Sequence, residues 1–264
     1  MKSLSLFVGT GQCNAYCDNC AGIPLRKYAP KEDGIIDNAL IYRTVKECYT
    51  QGARYLSISS SGEPTLSPLA VTNVLELIHD CRNEGIRFSP INLYSNGIRI
   101  GEDKKFSDEY LPLWKKLGLT TMYITVHNID ENENAKAFGV KCYPSLSLIF
   151  SRIHDVNLRI RANLVLSKER ISNVEVFSST VKHLFELGAD SISAWPIRNL
   201  EDLIDSELAP QEADLDRIGN WIERTDIGQK VRLIREEYDD KRGLKLTLFP
   251  DGTLSDSWCS YSNR

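Results

Sequence analysis

Three of the seven cysteines lie within eight consecutive positions, in the segment "CNAYCDNC" that contains Cys13, Cys17 and Cys20. Thiolates grouped on one short loop can bind a metal ion or an iron–sulfur cluster. A structural zinc site usually closes with four ligands, whereas the nearest other cysteine in the sequence is Cys48. In a four-iron cubane, three thiolates leave one iron open to a small molecule, as a catalytic centre requires. The triplet therefore favours an open cluster site, with a zinc site as the alternative.

The segments that must position this loop alternate between strand and helix. Six segments have the length and the β-branched or aromatic content of parallel strands: residues 3–9, 54–59, 89–94, 121–127, 157–166 and 190–196. Their order predicts an α/β fold with right-handed crossovers, either a partial barrel or an open doubly wound sheet. The cysteines directly follow the first strand, at the end where barrel enzymes build their active sites.

Helical patterns fill the intervals between these strands. The first begins at a possible cap, Asp37, and Ser172 with Glu175 has the spacing of a capping box for a later helix. Cys48 and Cys81 fall on apolar helix faces and are expected to behave as small buried hydrophobes.

Polar residues also follow or end the other strands. Glycine in the turn Ser61–Pro64 permits a close approach of backbone to a ligand, and its glutamate can accept hydrogen bonds from an ammonium group. The same turn could simply start a helix, His127 could be a solvated loop histidine, and the remaining residues could be internal packing. The candidates at the strand ends are Ser61, Gly62, Glu63, Ser95, Thr125, His127, Arg161, Asn163 and Trp195.

Cys13, Cys17 and Cys20 after the first strand, together with Gly62-Glu63-Pro64 after the second, resemble the signature of the radical S-adenosylmethionine superfamily. The resemblance covers residues 3 to 197 and implies a partial (β/α)6 TIM-like barrel. It implies one 4Fe-4S cluster on the three cysteines, with S-adenosylmethionine chelating the fourth iron. In this family, one electron cleaves the cofactor and gives a 5′-deoxyadenosyl radical, which abstracts hydrogen from the substrate.

The resemblance also implies roles for individual residues. Glu63 and the backbone around Ser61 and Gly62 would bind the amino group of the cofactor, and Ser95 would contact its methionine part. Further along, Thr125 and Asn163 would contact its carboxylate or ribose, and Trp195 would pack on its adenine. The sequence departs from the family pattern at Asn19, where an aromatic residue is common, and at Ser61, which replaces a glycine.

The chain changes character after residue 197, which predicts a barrel of residues 1–197 and a short α+β extension of residues 198–264. Residues 198–242 are mostly polar and predict a solvated helical region, and residues 244–261 predict a strand, a Pro-Asp-Gly turn and a return. This tail resembles the end of the family branch with auxiliary clusters, but it contains only Cys259. We therefore expect no second cluster. The tail is expected to be a remnant without a cluster or a lid over the mouth of the barrel, with Trp258 or Cys259 near the substrate and Cys259 a candidate hydrogen donor or ligand.

Composition narrows the class of protein. A net charge of −4 gives no support for broad binding to nucleic acid or acidic lipid, and no stretch approaches the apolar length of a membrane span. We expect a cytoplasmic enzyme that acts on a small molecule or a peptide and takes electrons from a donor such as flavodoxin or ferredoxin. An iron–sulfur electron-transfer or redox-sensing protein, or a zinc-stabilised binding module, would also account for the triplet alone.

Overall fold

The computed structural model describes residues 2–17, 19–29, 34–199, 203–235 and 245–255. Within these ranges, nine strands form one sheet in the order β7-β6-β5-β4-β3-β2-β1-β8-β9. All neighbouring strands are parallel except the antiparallel pair β8 and β9. The strands are β1 Ser3–Phe7, β2 Tyr55–Ser59, β3 Ile91–Ser95, β4 Thr121–Val126, β5 Arg159–Leu166, β6 Ser191–Pro196, β7 Val231–Leu233, β8 Lys245–Leu248 and β9 Leu254–Ser255.

Helices connect successive strands, as the expected partial barrel requires. They are α1 Asn38–Thr50, α2 Pro68–Asp80, α3 Ile98–Glu102, α4 Lys104–Leu117, α5 Glu131–Phe138, α6 Leu146–His154, α7 Val174–Glu186 and α8 Glu212–Arg224. Short 3-10 turns occupy Ile23–Tyr28, Pro64–Leu66, Cys81–Glu84 and Asp226–Lys230. None of the helices in the described ranges combines the length and the apolar character that a membrane crossing demands.

The two faces of the sheet differ in chemistry because side chains alternate along each strand. In β5, Ile160, Ala162 and Leu164 are fully buried and belong to the main apolar core with the helices. Arg161 and Asn163 alternate with them and lie on the opposite face. The other strands repeat this pattern, so the face turned away from the helices is largely polar.

All six strands expected for the barrel are present, as is the cap of the first helix, where Asp37 Oδ1 accepts from Leu40 N at 2.8 Å. The capping box at Ser172 is wrong, because Asn173 caps α7 and accepts from Val176 N at 3.0 Å. The sequence patterns also missed α3, α5 and β7, which are short elements.

The extension after residue 197 joins both edges of the six-stranded core. β7 pairs with β6 at one edge and β8 pairs with β1 at the other, which shields strand edges that would otherwise expose unpaired backbone groups. The expected hairpin is present, since Gly252 N donates to Phe249 O across the turn at 2.9 Å. Phe249 is fully buried and contacts Phe7 with ring centroids 4.9 Å apart. Helix α8 is amphipathic and packs on α7 through Trp221 and Phe177, but only Leu215 and Ile218 of α8 are buried, as expected for a mostly solvated helix.

Candidate functional site

The cysteine loop directly follows β1 and is held by backbone contacts on two sides. Tyr16 N donates to Phe138 O at 2.7 Å, and Glu63 N donates to Gln12 O at 2.8 Å. Gly62 allows the second contact, because a Cβ at this position would lie 2.1 Å from Gln12 O. The glycine recognised in the sequence therefore serves first to bring the turn after β2 against the cysteine loop.

The thiols of Cys13, Cys17 and Cys20 are half-buried and are not joined in disulfides. Burial raises the pKa of the Cys13 thiol, while a backbone hydrogen bond from Ala15 opposes this shift. Metal binding to such a thiol requires deprotonation and releases a proton. Among the described residues, no three metal-ligating side chains converge on the position of a single ion. A cubane does not require that convergence, because each thiolate binds a different iron.

Glu63 is buried, and its carboxylate points into the protein. Oε1 accepts from Thr65 N at 3.1 Å, from Thr65 Oγ1 at 2.7 Å and from Ser95 Oγ at 2.8 Å, while Oε2 accepts from Asn96 N at 2.7 Å. Burial raises the pKa of this carboxyl, and the four donors oppose that shift. Three of the donors lie on Oε1 and one on Oε2, so an ammonium group could contact only Oε2, which is buried with the rest of the side chain. The hydroxyl of Ser95 also has its partners within the protein, because it donates to Glu63 and accepts from Gly97 N at 3.0 Å.

Asn96 connects the turn after β3 to the cysteine loop, a role that the sequence patterns did not assign. Its Nδ2 donates to Asn14 Oδ1 at 2.7 Å and lies 3.9 Å from the Sγ of Cys13. Its carbonyl accepts from the hydroxyl of Tyr143 at 2.8 Å, and Tyr143 stacks on Phe138 with ring centroids 5.0 Å apart. The partners that fix this turn therefore come from distant parts of the chain.

The remaining candidates form rows on the polar face of the sheet. Thr125 is in register with Asn163, and Asn163 is in register with Ser193. Asn163 is buried, and its Oδ1 has no hydrogen-bond partner. Trp195 is half-buried two residues further along β6, where the guanidinium carbon of Arg198 lies 6.0 Å from the centroid of its indole.

His127 differs from the solvated loop histidine that the sequence favoured. It is half-buried and contacts Phe138 edge to face, with ring centroids 4.8 Å apart. Burial lowers its pKa to about 4, and the nearby charge of Arg170 adds to the effect. The ring is therefore neutral at physiological pH.

Two of the cysteines outside the loop are buried, as the sequence predicted. Cys48 and Cys81 are buried in the apolar core, and Cys142 is exposed. Trp258 and Cys259 lie outside the described residues, so the predictions for them remain predictions.

No protein-family profile matches the chain, and no curated protein sequence does. Solved structures do resemble its fold. The structure of anSMEcpe with bound AdoMet aligns with a TM-score of 0.63 at 14% identity, covering 97% of this chain and 74% of that one. Methylornithine synthase, PylB, aligns with a TM-score of 0.59 at 14% identity, covering 100% of this chain and 77% of that one. Coproporphyrinogen III oxidase (HemN) from Escherichia coli, a radical SAM enzyme, aligns with a TM-score of 0.50 at 14% identity, covering 98% of this chain and 62% of that one.

Among these structural neighbours, HemN is a radical SAM enzyme and anSMEcpe binds AdoMet. The chain has their fold, a partial α/β barrel, with its three-cysteine loop at the carboxyl end of β1. The resemblance noted from the sequence is thus confirmed at the level of the fold.

Proposed function

We propose that this protein is a radical S-adenosylmethionine enzyme with a single 4Fe-4S cluster on Cys13, Cys17 and Cys20. One observation carries the proposal: the three-cysteine loop packs, at backbone distance, on the turn Ser61–Pro64 in a fold shared with an enzyme that binds AdoMet. A plain electron-transfer protein would need the cysteines but not this turn.

The residues of the loop suit the proposed cluster. The three thiols of the loop are appropriate donors for iron, and half-burial limits access of water to them. Asn96 can donate to the sulfur of Cys13, the kind of contact that tunes the potential of a cluster. When bound and reduced, the cluster would supply the electron that cleaves S-adenosylmethionine.

The protein residues divide into two groups: those that hold the turns after β2 and β3 together, here called the frame, and those that would contact the cofactor. Glu63 and Ser95 hold the frame through the hydrogen bonds between them and to the turn after β3. We propose that the backbone carbonyls around Ser61 and Gly62 accept from the amino group of the cofactor. The polar row of Thr125 and Asn163 would contact its carboxylate or ribose, and Trp195 would pack on its adenine.

The proposed partners follow from this chemistry. The enzyme would take one electron at a time from a donor such as flavodoxin or ferredoxin, in the cytoplasm, and would act on a small molecule or a peptide. The tail that begins with β8 would cover the mouth of the barrel and protect reactive species from water.

Anaerobic reconstitution tests the proposal directly. About four irons per chain are expected, together with 5′-deoxyadenosine when dithionite and S-adenosylmethionine are added. The matched control replaces Cys48, Cys81 and Cys142 with alanine and should retain both properties, whereas replacing Cys13, Cys17 and Cys20 should abolish them. About eight irons would contradict the single cluster, and an iron-loaded protein that never forms 5′-deoxyadenosine would contradict the proposed chemistry.

A further inference from the structure

The polar face of the sheet carries an arginine, Arg161, whose surroundings are appropriate for binding an anionic ligand. Arg161 lies in the middle of β5, with its guanidinium carbon 4.6 Å from the centroid of the Tyr123 ring. Nη1 donates to the hydroxyl of Tyr123 at 3.2 Å, and Nη2 donates to Ser193 Oγ. Both partners are neutral hydroxyl groups, which orient the guanidinium without neutralising it.

The charge of Arg161 has no carboxylate to balance it within the described residues. No acidic side chain in those ranges forms an ion pair with it, and its buried Nε has no hydrogen-bond partner. Buried charges in proteins are normally paired, because the loss of hydration is costly. Arg161 is half-buried, but its Nε is enclosed without a partner, and an anionic ligand would supply one.

Two further buried groups on the same face lack partners. Asn163 Oδ1, two residues beyond Arg161 on β5, and Asn92 Oδ1 on β3 have no hydrogen-bond partner, although both residues are more than nine-tenths buried. A cavity of about 260 Å³ adjoins Arg161 and is also lined by Asn92, Tyr123 and Arg159. Asp190 is the acidic residue in its lining, and this carboxylate already accepts from Ile160 N at 2.7 Å.

The backbone of Arg161 lies one row away from the proposed cofactor contacts on the sheet. Tyr123 is in register with Arg161, and the row of Thr125 and Asn163 lies two residues, or about 7 Å, nearer to the cysteine loop. The cofactor contacts proposed above all lie in that row or beyond it. The cavity beside Arg161 is lined by residues at the amino ends of β3 to β6, so it lies on the side of that row away from the cysteine loop, while the guanidinium itself reaches Ser193, which is in register with Asn163.

We propose that the substrate carries an anionic group, a carboxylate or a phosphate, and that Arg161 binds this group inside the barrel. Tyr123 and Ser193 are positioning residues that fix the guanidinium. The proposal rests on the proposed function, because it takes the barrel interior as the place where the substrate binds.

Calorimetric titration of the full-length, anaerobically reconstituted protein tests this without any turnover. Inorganic phosphate and succinate, titrated separately at constant ionic strength, distinguish the two kinds of anion. We expect saturable binding of at least one anion. The dissociation constant should be about 10- to 150-fold larger in Arg161→Gln, because a hydrogen-bonded charge is lost. Arg43→Gln removes the same charge from the exposed surface of α1 and should bind as the wild type does.

A stability measurement separates ligand binding from a structural role. Arg161→Gln should unfold at about the same temperature as the wild type, because the half-buried guanidinium forms no ion pair within the described residues. A clear fall in unfolding temperature would make Arg161 a structural residue and overturn the proposal. It would also be overturned by equal loss of binding in Arg43→Gln, by absence of saturable binding of both anions, or by weaker S-adenosylmethionine binding in Arg161→Gln with unchanged anion binding.

The same experiments distinguish this proposal from the proposed function. If the wild type forms no 5′-deoxyadenosine, the proposed radical chemistry is contradicted, whereas anion binding at Arg161 can still be measured. If the wild type forms 5′-deoxyadenosine but binds neither anion, only the proposal of an anionic substrate is contradicted.

Discussion

Replacing Glu63 with glutamine distinguishes a carboxylate that holds the frame from one that contacts the cofactor. Two of its four donors are backbone N–H groups on different oxygens: Thr65 N lies 3.1 Å from Oε1, and Asn96 N lies 2.7 Å from Oε2. Glutamine keeps the shape of the side chain but only one acceptor oxygen. Because a backbone N–H cannot become an acceptor, one of the two must face the amide NH₂ group.

The expected loss of stability follows from counting these donors. A buried donor without an acceptor costs about 1–3 kcal/mol, so Glu63→Gln should lower the free energy of unfolding by about that amount. Glu63→Ala deprives both backbone donors and should cost about 2–6 kcal/mol. The hydroxyls of Thr65 and Ser95 can turn to other acceptors and add little. Removing a buried charge offsets part of the loss, since burial already raises the pKa of Glu63.

Urea unfolding under anaerobic conditions, combined with iron analysis and titration of S-adenosylmethionine, measures these effects. Glu63→Gln should lose stability and retain less iron, because the turn that it holds supports the cysteine loop. Glu76→Gln changes an exposed glutamate on α2 and should match the wild type. If Glu63→Gln keeps its stability and its iron but binds S-adenosylmethionine about 10- to 150-fold more weakly, the carboxylate contacts the cofactor and the reasoning is refuted.

Three further changes test the loop, the histidine and the tail. Gly62→Ala should reduce iron retention because its Cβ would lie 2.1 Å from Gln12 O, whereas Gly219→Ala, with its nearest contact at 3.9 Å, should not; equal iron contents would contradict this. The pKa of His127 falls from 6.5 to about 4 on folding, so the unfolded chain binds more protons in that window and stability should rise with pH by at most about 3 kcal/mol. The free energy of unfolding, measured across this pH window, should depend less on pH in His127→Asn than in the wild type. Identical pH dependences would contradict the assignment of this effect to His127. Deleting residues 256–264, which spares β8 and β9, should raise substrate-independent formation of 5′-deoxyadenosine, and a wild-type rate would mean that the tail is not a lid.

The barrel could be predicted because its strands carry their pattern locally. In β5 apolar residues alternate with polar ones from Arg159 to Leu164, and Ile160, Ala162, Leu164 and Leu166 are all fully buried. β7 has only three residues, Val231–Leu233, too few for a period to be visible. Its strand conformation depends on pairing with β6, which is remote in the sequence.

The end of a helix illustrates a second limit. Ser172 and Asn173 are both good N-cap residues, and the sequence favoured Ser172 because Glu175 completes a capping box. The structure uses Asn173, and α7 then places Phe177 and Val181 in the core. Packing of the helix against the sheet decides which neighbouring residue becomes the cap, and this information is absent from the local sequence.

The same limit explains why the candidate site could be located but not resolved into roles. Residue types and spacing identified the turn at Glu63 and the turn at Ser95, but a buried carboxylate suits an internal acceptor as well as a ligand contact. The hydrogen bonds from Ser95 and Asn96 join residues 32 and 33 positions from Glu63, and they depend on the register in which Leu56 pairs with Ile91. With the carboxylate buried and held by those donors, the thiols, the backbone at Gly62 and the unpartnered polar atoms of the inner face are the stronger candidates for contacts with ligands. The chemistry proposed for this chain therefore depends on groups that the fold leaves unsatisfied, and these become visible only when the strands are paired.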